Sequence, residues 1–293
     1  GGCSAFGVIS GIIASAPSIE DIDATPTGYL TTVLDNQGNQ TATLVASGSN
    51  RKYVTINEIP INLQHAFVAI EDERFYDHNG IDLQGILRAG LKGVASGFHF
   101  SEGASTITQQ LLKNTVFTQW TSEQSMADKF ERKFQEQYLA LQLEKVVDKD
   151  WILENYLNAI NLGQNTLGVG VASERYFGKD VSELTLSECA VLAAITQSPS
   201  YYNPITHPDH NKERRQKVLN NMLDQGYISQ TEYDEAVADN VYDRIQVVNV
   251  ESQDENINSY FVDEMTDQIV QDMIDRLGYT ETQAYKALYQ GGL

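Results

Sequence analysis

The chain has 293 residues, 41% of them apolar, which is enough for one large core or two modest ones. Its 40 Asp and Glu against 20 Lys and Arg give a formal net charge of −20. This balance excludes a nucleic-acid-binding protein, because phosphate contacts need clustered basic side chains. Cys3 and Cys189 form neither a disulfide framework nor a zinc pattern, and Cys189, in an apolar run, is expected to be a buried free thiol.

Residues 1–16 carry no charged side chain and are rich in small and apolar residues. Because a bilayer span takes about 20 apolar residues, the segment is predicted to be the outer end of a truncated transmembrane anchor. Two alternatives stay open: a disordered leader rich in Gly and Ser, and a lipoprotein acylated at Cys3.

Residues 17–60 are predicted to be a β-rich segment. Runs rich in β-branched residues at 29–34 and 40–45 flank a turn sequence at 35–39, which predicts a β-hairpin. Thr55 and Glu58 have the spacing of a capping box, which Pro60 limits to a short turn.

From Leu63 onward the pattern is helical almost throughout and predicts a mainly α fold. The predicted helices include 82–96, 105–114, 125–145, one from Trp151 with Asp148 as N-cap, and two opened by the capping boxes Thr185–Glu188 and Ser229–Glu232. Three prolines predict a rigid loop over 197–210. Residues 241–250 resemble a strand and 251–257 a linker, before two final amphipathic segments.

The first candidate catalytic cluster begins at Glu71-Asp72, directly after the apolar run 66–70. This run places the Glu71 carboxylate at the edge of the core, where partial burial makes it a better proton acceptor. For an isolated acidic cluster, a solvated helix end capped by His78 is the usual explanation.

The second cluster lies on the helix predicted over 105–114. Thr106, Gln110 and Lys113 are spaced four and three residues apart and share one face, and their hydroxyl, amide and ammonium groups suit a phosphate or a sugar. Gly103 allows close backbone approach at the helix start, where N–H groups favour anions. An ordinary amphipathic helix is the alternative.

The third cluster contains Arg132, Lys133 and Glu136 on one helix. Arg132 and Glu136 are one turn apart, which by itself indicates a solvated ion pair.

Together these clusters resemble the family-51 glycosyltransferase domain of class A penicillin-binding proteins. Five motifs occur in the family's order between Glu71 and Leu219. They are Glu71-Asp72 with Phe75, His78 and Gly80; Gly103 to Gln110; Arg132-Lys133 with Glu136; Ile152 to Asn158 followed by Gly163, Gly168 and Gly170; and an arginine assigned to Arg215.

The resemblance implies a lysozyme-like, mainly α fold with a small N-terminal β element. It also implies a glycosyltransferase domain over 61–240, and a linker over 241–293 that leads toward an absent transpeptidase domain. Members of the family polymerise lipid II, releasing polyprenyl pyrophosphate, in bacterial cell-wall synthesis. By this resemblance the domain works on the extracellular face of the cell membrane behind a single-pass anchor, with the growing glycan strand and other cell-wall synthesis proteins as partners.

The same resemblance assigns the catalytic and binding residues. Glu71 is the base for the acceptor's 4-hydroxyl, and Glu136 is a second essential carboxylate, acting through a divalent metal such as Mg²⁺ or Mn²⁺. Lys113, Arg132 and Lys133 hold the pyrophosphate, and no organic cofactor is implied. The remaining substrate-binding residues are Asp72, His78, Ser105, Thr106, Gln109, Gln110 and Arg215.

The chain departs from the family before the third motif. Relatives often place an arginine there, whereas residues 115–131 contain none and Lys129 is their only basic residue. Lysine cannot reproduce the bidentate contact of a guanidinium. Ser49 and Lys52 match a transpeptidase pattern without its companions, so no penicillin-binding activity is expected of this fragment. Two other functions stay open: a lysozyme-like lytic glycosidase, for which paired carboxylates are typical, and a non-catalytic cell-wall scaffold.

Overall fold

The computed structural model describes residues 10–11, 13–16, 18, 31–34, 40–44, 53–95, 105–116, 126–164, 166–246 and 256–290. Several sequence predictions fall outside this part of the chain: most of the anchor over 1–16 including Cys3, the hairpin turn at 35–39, the residues from Ser49 to Lys52, Gly103, and the side chain of Lys129. Among the described residues, no helix combines the length and the apolar character that a bilayer crossing requires.

The predicted β-hairpin is confirmed. Strands β1 (Thr31–Leu34) and β2 (Gln40–Leu44) pair in antiparallel register, with Thr31 opposite Leu44. The regular elements of the rest of the described chain are helices, as predicted. Its helices are α1 (Ile61–Glu71), α2 (Leu83–Ala95), α3 (Ile107–Thr115), α4 (Met126–Val146), α5 (Lys149–Ala159), α6 (Val169–Phe177), α7 (Leu186–Ala193), α8 (Pro208–Asp224), α9 (Gln230–Ala238), α10 (Asn256–Leu277) and α11 (Glu281–Gln290).

Local capping signals fixed several helix starts. The Asp148 carboxylate accepts a hydrogen bond from the Trp151 N–H at the start of α5, and complete capping boxes open α7 at Thr185 and α9 at Ser229. Each such cap contributes about 1 kcal/mol, because it satisfies N–H groups that have no partner inside the helix. These predicted starts are therefore confirmed.

Two predictions around prolines and β-branched residues were wrong in part. The loop predicted over 197–210 ends at His207, because Pro208 occupies the first turn of α8, where a missing N–H costs nothing. The strand predicted from Val241 is a short 3₁₀ helix over Val241–Arg244, with Val241 fully buried. Burial against the helical core outweighed the β propensity of this run.

The core lies between α1 and the helices packed on it. α1 contacts α7 and α8, while α3 packs between α4 and α5. The buried residues of these helices form one apolar cluster, to which Phe67, Leu111 and Leu192 contribute fully buried side chains. Cys189 belongs to the same cluster as a free thiol whose pKa is raised by burial, which confirms the prediction for it.

The end of α1 is held by α8. The side-chain amides of Asn221 and Gln225 both donate to the Ala69 carbonyl, each at 3.0 Å. The last carbonyls of a helix have no partner within it, so these amides satisfy one of them and fix the turn that carries Glu71. The predicted domain boundaries at residues 16, 60 and 240 stay predictions.

Candidate active site

Glu71 is the last residue of α1, and its side chain is 11% exposed at the edge of the core. Three donors from three elements reach its carboxylate. Arg214 Nη2 donates to Oε1 at 3.1 Å, the Thr196 hydroxyl donates to the same oxygen, and Gln110 Nε2 donates to Oε2 at 3.1 Å. An arginine and two further donors therefore hold the carboxylate in one orientation.

Arg214 is itself fixed by the segment that follows α7. Its Nη1 donates to Gln197 Oε1 at 2.8 Å, and its guanidinium lies 4.9 Å from the centre of the Tyr202 ring. Gln197 has a φ of 75°, a left-handed backbone that non-glycine residues adopt at a cost of about 1–3 kcal/mol. This backbone places Gln197 beside the ion pair of Arg214 and Glu71.

Arg215 takes no part in the contacts around Glu71, and its assignment to the substrate as the arginine of the fifth motif stays a prediction. It is 3% exposed and donates to Ser187 Oγ at 2.8 Å and to the Ala236 carbonyl. Burial lowers the pKa of Arg215, the direction expected when a cation leaves water. Its contacts tie α8 to α7 and α9, and the arginine that reaches Glu71 is Arg214.

Asp72 and His78 join the first motif to the start of α3. The buried Asp72 carboxylate accepts from the Ile107 N–H at 2.9 Å and lies 2.9 Å from His78 Nε2. Because His78 Nδ1 accepts from the Gly80 N–H at 3.0 Å, this network assigns the proton of the neutral ring to Nε2. These contacts position the two motifs, whereas the sequence assigned both residues to the substrate.

Thr106 and Gln109 are joined to each other and to the first motif. They form a capping box at the start of α3, and Thr106 Oγ1 donates to the Gly80 carbonyl at 2.8 Å. Both are at most 1% exposed, and the buried Gln109 Nε2 has no hydrogen-bond partner among the described residues. Their assignment to the substrate stays a prediction. The anion expected at this helix start is the carboxylate of Asp72, which already accepts from its first N–H group.

Gly80 has a reason to be glycine. Its φ is 104°, and a Cβ atom there would lie 2.6 Å from the Ala140 carbonyl oxygen of α4. The first motif can therefore lie directly against the helix that carries the third motif only if this residue has no side chain.

Ser105, Lys133 and Glu136 link the second motif to the third. Lys133 Nζ donates to Ser105 Oγ at 2.5 Å and to Glu136 Oε1 at 2.9 Å. The Lys133 side chain is 44% exposed while Glu136 is almost completely buried, so the carboxylate holds an ammonium group that still reaches solvent. The Ser105 carbonyl lies 3.5 Å from Gln110 Nε2. A continuous set of contacts thus runs from Glu71 to Glu136.

Lys113 and Arg132 stand on the same two helices. Lys113 is one turn after Gln110 on α3, and Arg132 directly precedes Lys133 on α4; both are half-buried. The structure therefore places the three predicted cations on the helices that carry Gln110 and Glu136.

Glu154 and Asn158 of the fourth motif support the segment before α1. Asn158 exchanges hydrogen bonds with the backbone of Val54 at 2.8 and 3.0 Å, and Glu154 accepts from the Ile56 N–H at 2.6 Å. The positive φ of Gly168 goes with a close approach, since a Cβ there would lie 2.7 Å from the Asn158 carbonyl. This motif is part of the scaffold.

The described residues contain no group of three or more His, Cys, Asp or Glu side chains that could hold a metal ion. Glu136 is one carboxylate with an oxygen already occupied by Lys133. Mg²⁺ takes several oxygen ligands and commonly relies on substrate phosphates for some of them. Taken alone, these side chains do not fit a resident metal.

Three residues that contact Glu71 or hold its partner were missed in the sequence: Thr196, Gln197 and Arg214. Thr196 and Arg214 lie 125 and 143 positions from Glu71, which is beyond any local pattern. The sequence offered one signal, the pair Arg214-Arg215, in which either residue fitted the fifth motif.

Comparisons with known proteins show which sequences and structures this chain is similar to. Residues 37–223 match the family model described as "Transglycosylase". The chain is 39% identical over 291 residues to "Penicillin-binding protein 1A" of Clostridium perfringens (strain 13 / Type A), covering 96% of this chain and 42% of that protein. It is 47% identical over 201 residues to "Penicillin-binding protein 1F" of Bacillus subtilis (strain 168), covering 68% of this chain and 27% of that protein.

Among solved structures, penicillin-binding protein 1A from Haemophilus influenzae superimposes with a TM-score of 0.44 at 22% identity. That match covers 92% of this chain and 26% of the other. The chain thus spans less than half of the length of these curated relatives.

Proposed function

We propose that this chain, which belongs to the transglycosylase family, is a peptidoglycan glycosyltransferase that polymerises lipid II into glycan strands and releases polyprenyl pyrophosphate. Family membership confirms the resemblance inferred from the five motifs and the mainly α, lysozyme-like fold class that this resemblance implied. Because the relatives are much longer than this chain, activity, substrate and partners are proposed for the domain described.

The observation that carries the proposal is the set of contacts that orients the Glu71 carboxylate. A general base must be held within reach of the proton that it removes. Arg214 and Thr196 both donate to Oε1. Among the described residues, Gln110 is the one donor to Oε2, which leaves that oxygen with the freer lone pair. We therefore assign the proton of the acceptor's 4-hydroxyl to Oε2.

In the proposed reaction, this oxygen removes the hydroxyl proton while the acceptor oxygen attacks the anomeric carbon of the donor. The bond between that carbon and the pyrophosphate breaks, and the electron pair leaves with the phosphate. Such a leaving group needs cations more than it needs a proton. Lys133, whose partly exposed side chain places its ammonium on the buried Glu136, is the best placed of the predicted cations, and Lys113 and Arg132 lie on the same two helices.

The same charges argue against a lytic glycosidase. A glycosidase protonates the leaving sugar oxygen with one carboxylic acid and uses the second carboxylate as nucleophile or base. Here each carboxylate has a cation beside it, Arg214 at Glu71 and Lys133 at Glu136, whereas the acid of a glycosidase has to deliver a proton to the leaving oxygen. Two intact, paired carboxylates likewise argue against a scaffold that has lost catalysis.

The divalent metal stays a prediction, and no step above is routed through it. If Mg²⁺ or Mn²⁺ takes part, Glu136 and the phosphates of the substrate are the ligands we propose. Lipid II is a membrane lipid, so we also propose that the domain acts on the extracellular face of the cell membrane, beside a growing glycan strand and other cell-wall synthesis proteins.

The test is polymerisation of purified lipid II with Mg²⁺ present. Wild type is expected to produce long glycan strands, and Glu71→Gln to lose on the order of 10²–10⁴-fold in rate, the contribution of a general base. Glu73→Gln is a matched control, because Glu73 is 43% exposed and pairs with Arg74 and Arg88.

A well-folded but inert wild type, or a Glu71→Gln variant with normal strand formation, would refute the proposal. Soluble fragments released from finished peptidoglycan would support the glycosidase.

A further inference from the structure

Helix α11 contacts both the segment that holds Arg214 and helix α3, which carries Gln110. It joins the body through a small apolar cluster of Leu167, Val270, Ala284, Tyr285 and Leu288, all at most 5% exposed. Burial of these side chains holds α11 in a defined place and thereby fixes the polar residues of its first turn.

The first contact is to the segment that fixes Arg214. Glu281 Oε1 accepts from the Ser200 N–H at 3.1 Å and from Ser200 Oγ at 2.7 Å. Ser200 lies between Gln197 and Tyr202, the two residues that hold the Arg214 guanidinium. Because one carboxylate oxygen accepts both a backbone and a side-chain hydrogen bond from Ser200, Glu281 is suited to keep this short segment in position.

The second contact is to α3. Gln283, which is 2% exposed, donates from Nε2 to the Lys113 carbonyl at 3.3 Å. This carbonyl is among the last four of α3, which have no partner within the helix. α3 carries Gln110, the donor to Glu71 Oε2, so Gln283 anchors the opposite side of the catalytic carboxylate.

We propose that Glu281 and Gln283 are positioning residues for glycosyl transfer. Together they make α11 a clamp that sets Arg214 and Gln110 at the right distance around Glu71. The inference rests on the proposed function. The family motifs end at Leu219. The inference goes beyond them because it assigns a positioning role to a helix that the sequence indicated only as part of a linker.

Four variants and a control test the clamp. Glu281→Ala and Ser200→Ala remove the first contact from either side. Gln283→Glu keeps the acceptor that caps the Thr280 N–H, and it replaces the donor to the Lys113 carbonyl with a carboxylate oxygen that this carbonyl repels. Ala284→Glu places a charge in the apolar cluster and detaches the helix. Asp272→Ala is the control, since Asp272 is an exposed acidic residue of the neighbouring α10.

In lipid II polymerisation we expect kcat to fall roughly tenfold in Glu281→Ala and Gln283→Glu with KM within about twofold, because a displacement of a fraction of an ångström at catalytic groups is enough for such a loss. The double variant Ser200→Ala/Glu281→Ala should lose no more than Glu281→Ala alone. In these variants, backbone hydrogen exchange should become faster in residues 107–115 and 196–203, while α7 keeps its protection. This pattern distinguishes loss of the α11 contacts from a general loss of structure.

An Ala284→Glu variant with a detached, rapidly exchanging α11 and wild-type kcat would overturn the inference. So would unchanged exchange in 107–115 and 196–203 after detachment. The exchange measurement needs no substrate. A wild type that is inert on lipid II would refute the proposed function. Hydrogen exchange would still show whether α11 restrains α3 and the segment at Ser200.

Discussion

Glu71 and Arg214 form an ion pair at 3.1 Å in which each side chain is about one tenth exposed. Taking two charges out of water is costly, and further hydrogen bonds to the pair offset part of that cost. Thr196 and Gln110 supply these for Glu71 and Gln197 for Arg214 Nη1, while the buried Arg214 Nε has no hydrogen-bond partner among the described residues. At the residue scale, the site is a carboxylate held in one orientation, with Arg214 and Thr196 on one oxygen and Gln110 on the other.

The two neighbouring arginines should differ in their effect on activity. We expect Arg214→Gln to lower kcat on the order of 100-fold, because it releases and reorients the base, and also to lower the free energy of unfolding, because it leaves the buried Glu71 carboxylate without its cation. Arg215→Gln should lower the free energy of unfolding by about 2 kcal/mol, since it leaves buried acceptors unpaired, and keep the kcat of the folded protein. Polymerisation kinetics and urea unfolding of both variants measure this. A loss of kcat in Arg215→Gln but not in Arg214→Gln would support the assignment of Arg215 to the substrate.

At the element scale, α3 is the part whose position matters most. It begins at a capping box, receives the Asp72 carboxylate on its first N–H, and packs between α4 and α5. The capping box determines where in the sequence the helix begins, while the contact with Asp72 determines where that start lies relative to Glu71. Since Gln110 is one turn further along, a displacement of the helix is transmitted to the base.

Asp72→Asn tests this positioning. An amide in this place cannot serve both the Ile107 N–H and the Nε2–H of His78 as a carboxylate does. We expect a loss of about 2 kcal/mol in unfolding free energy and a fall of roughly tenfold in kcat. Asp77→Asn, at a nearby exposed residue, should stay within about 0.5 kcal/mol of wild type. Wild-type kcat in Asp72→Asn would assign Asp72 to stability alone.

At the scale of the whole molecule, stability should depend on acidic side chains that are paired in the fold. Hydrogen bonds from Arg74 lower the pKa of Asp82 below its usual 3.8, and those from Arg244 lower the pKa of Asp239. A carboxyl whose pKa is lower in the folded state stabilises the fold above its unfolded pKa. That stability is lost as the pH falls through the folded pKa.

Urea unfolding between about pH 7 and pH 2 should therefore show a loss of stability that steepens below the usual Asp pKa of 3.8. Asp239→Asn should make this acid loss shallower than in wild type, because one linked group is gone. The net charge of −20 also causes self-repulsion, which protonation relieves. This repulsion is nearly equal in wild type and Asp239→Asn, so it cancels when the two are compared. Identical acid slopes would exclude Asp239 as a contributor.

Much of the fold could be predicted because its signals are local. The capping boxes at Thr185 and Ser229, the N-cap at Asp148 and the hairpin strands are encoded within a few residues. The strand expected at Val241 failed because an apolar β-branched run is buried equally well on a helical core. Of the site, the motifs identified Glu71, Gln110, Lys133 and Glu136, and the structure joins these residues through consecutive contacts.

The sequence by itself determined the family, the mainly α fold class and the choice of Glu71. It could not decide between Arg214 and Arg215, since neighbouring residues on a helix point about 100° apart and only the packing of α8 determines which one meets Glu71. It also could not show that Asp72 contacts Ile107 and His78, that Thr106 contacts Gly80, or that α11 reaches Ser200 and Lys113. These contacts join distant parts of the chain, and only the packing of the whole core brings them within hydrogen-bonding distance.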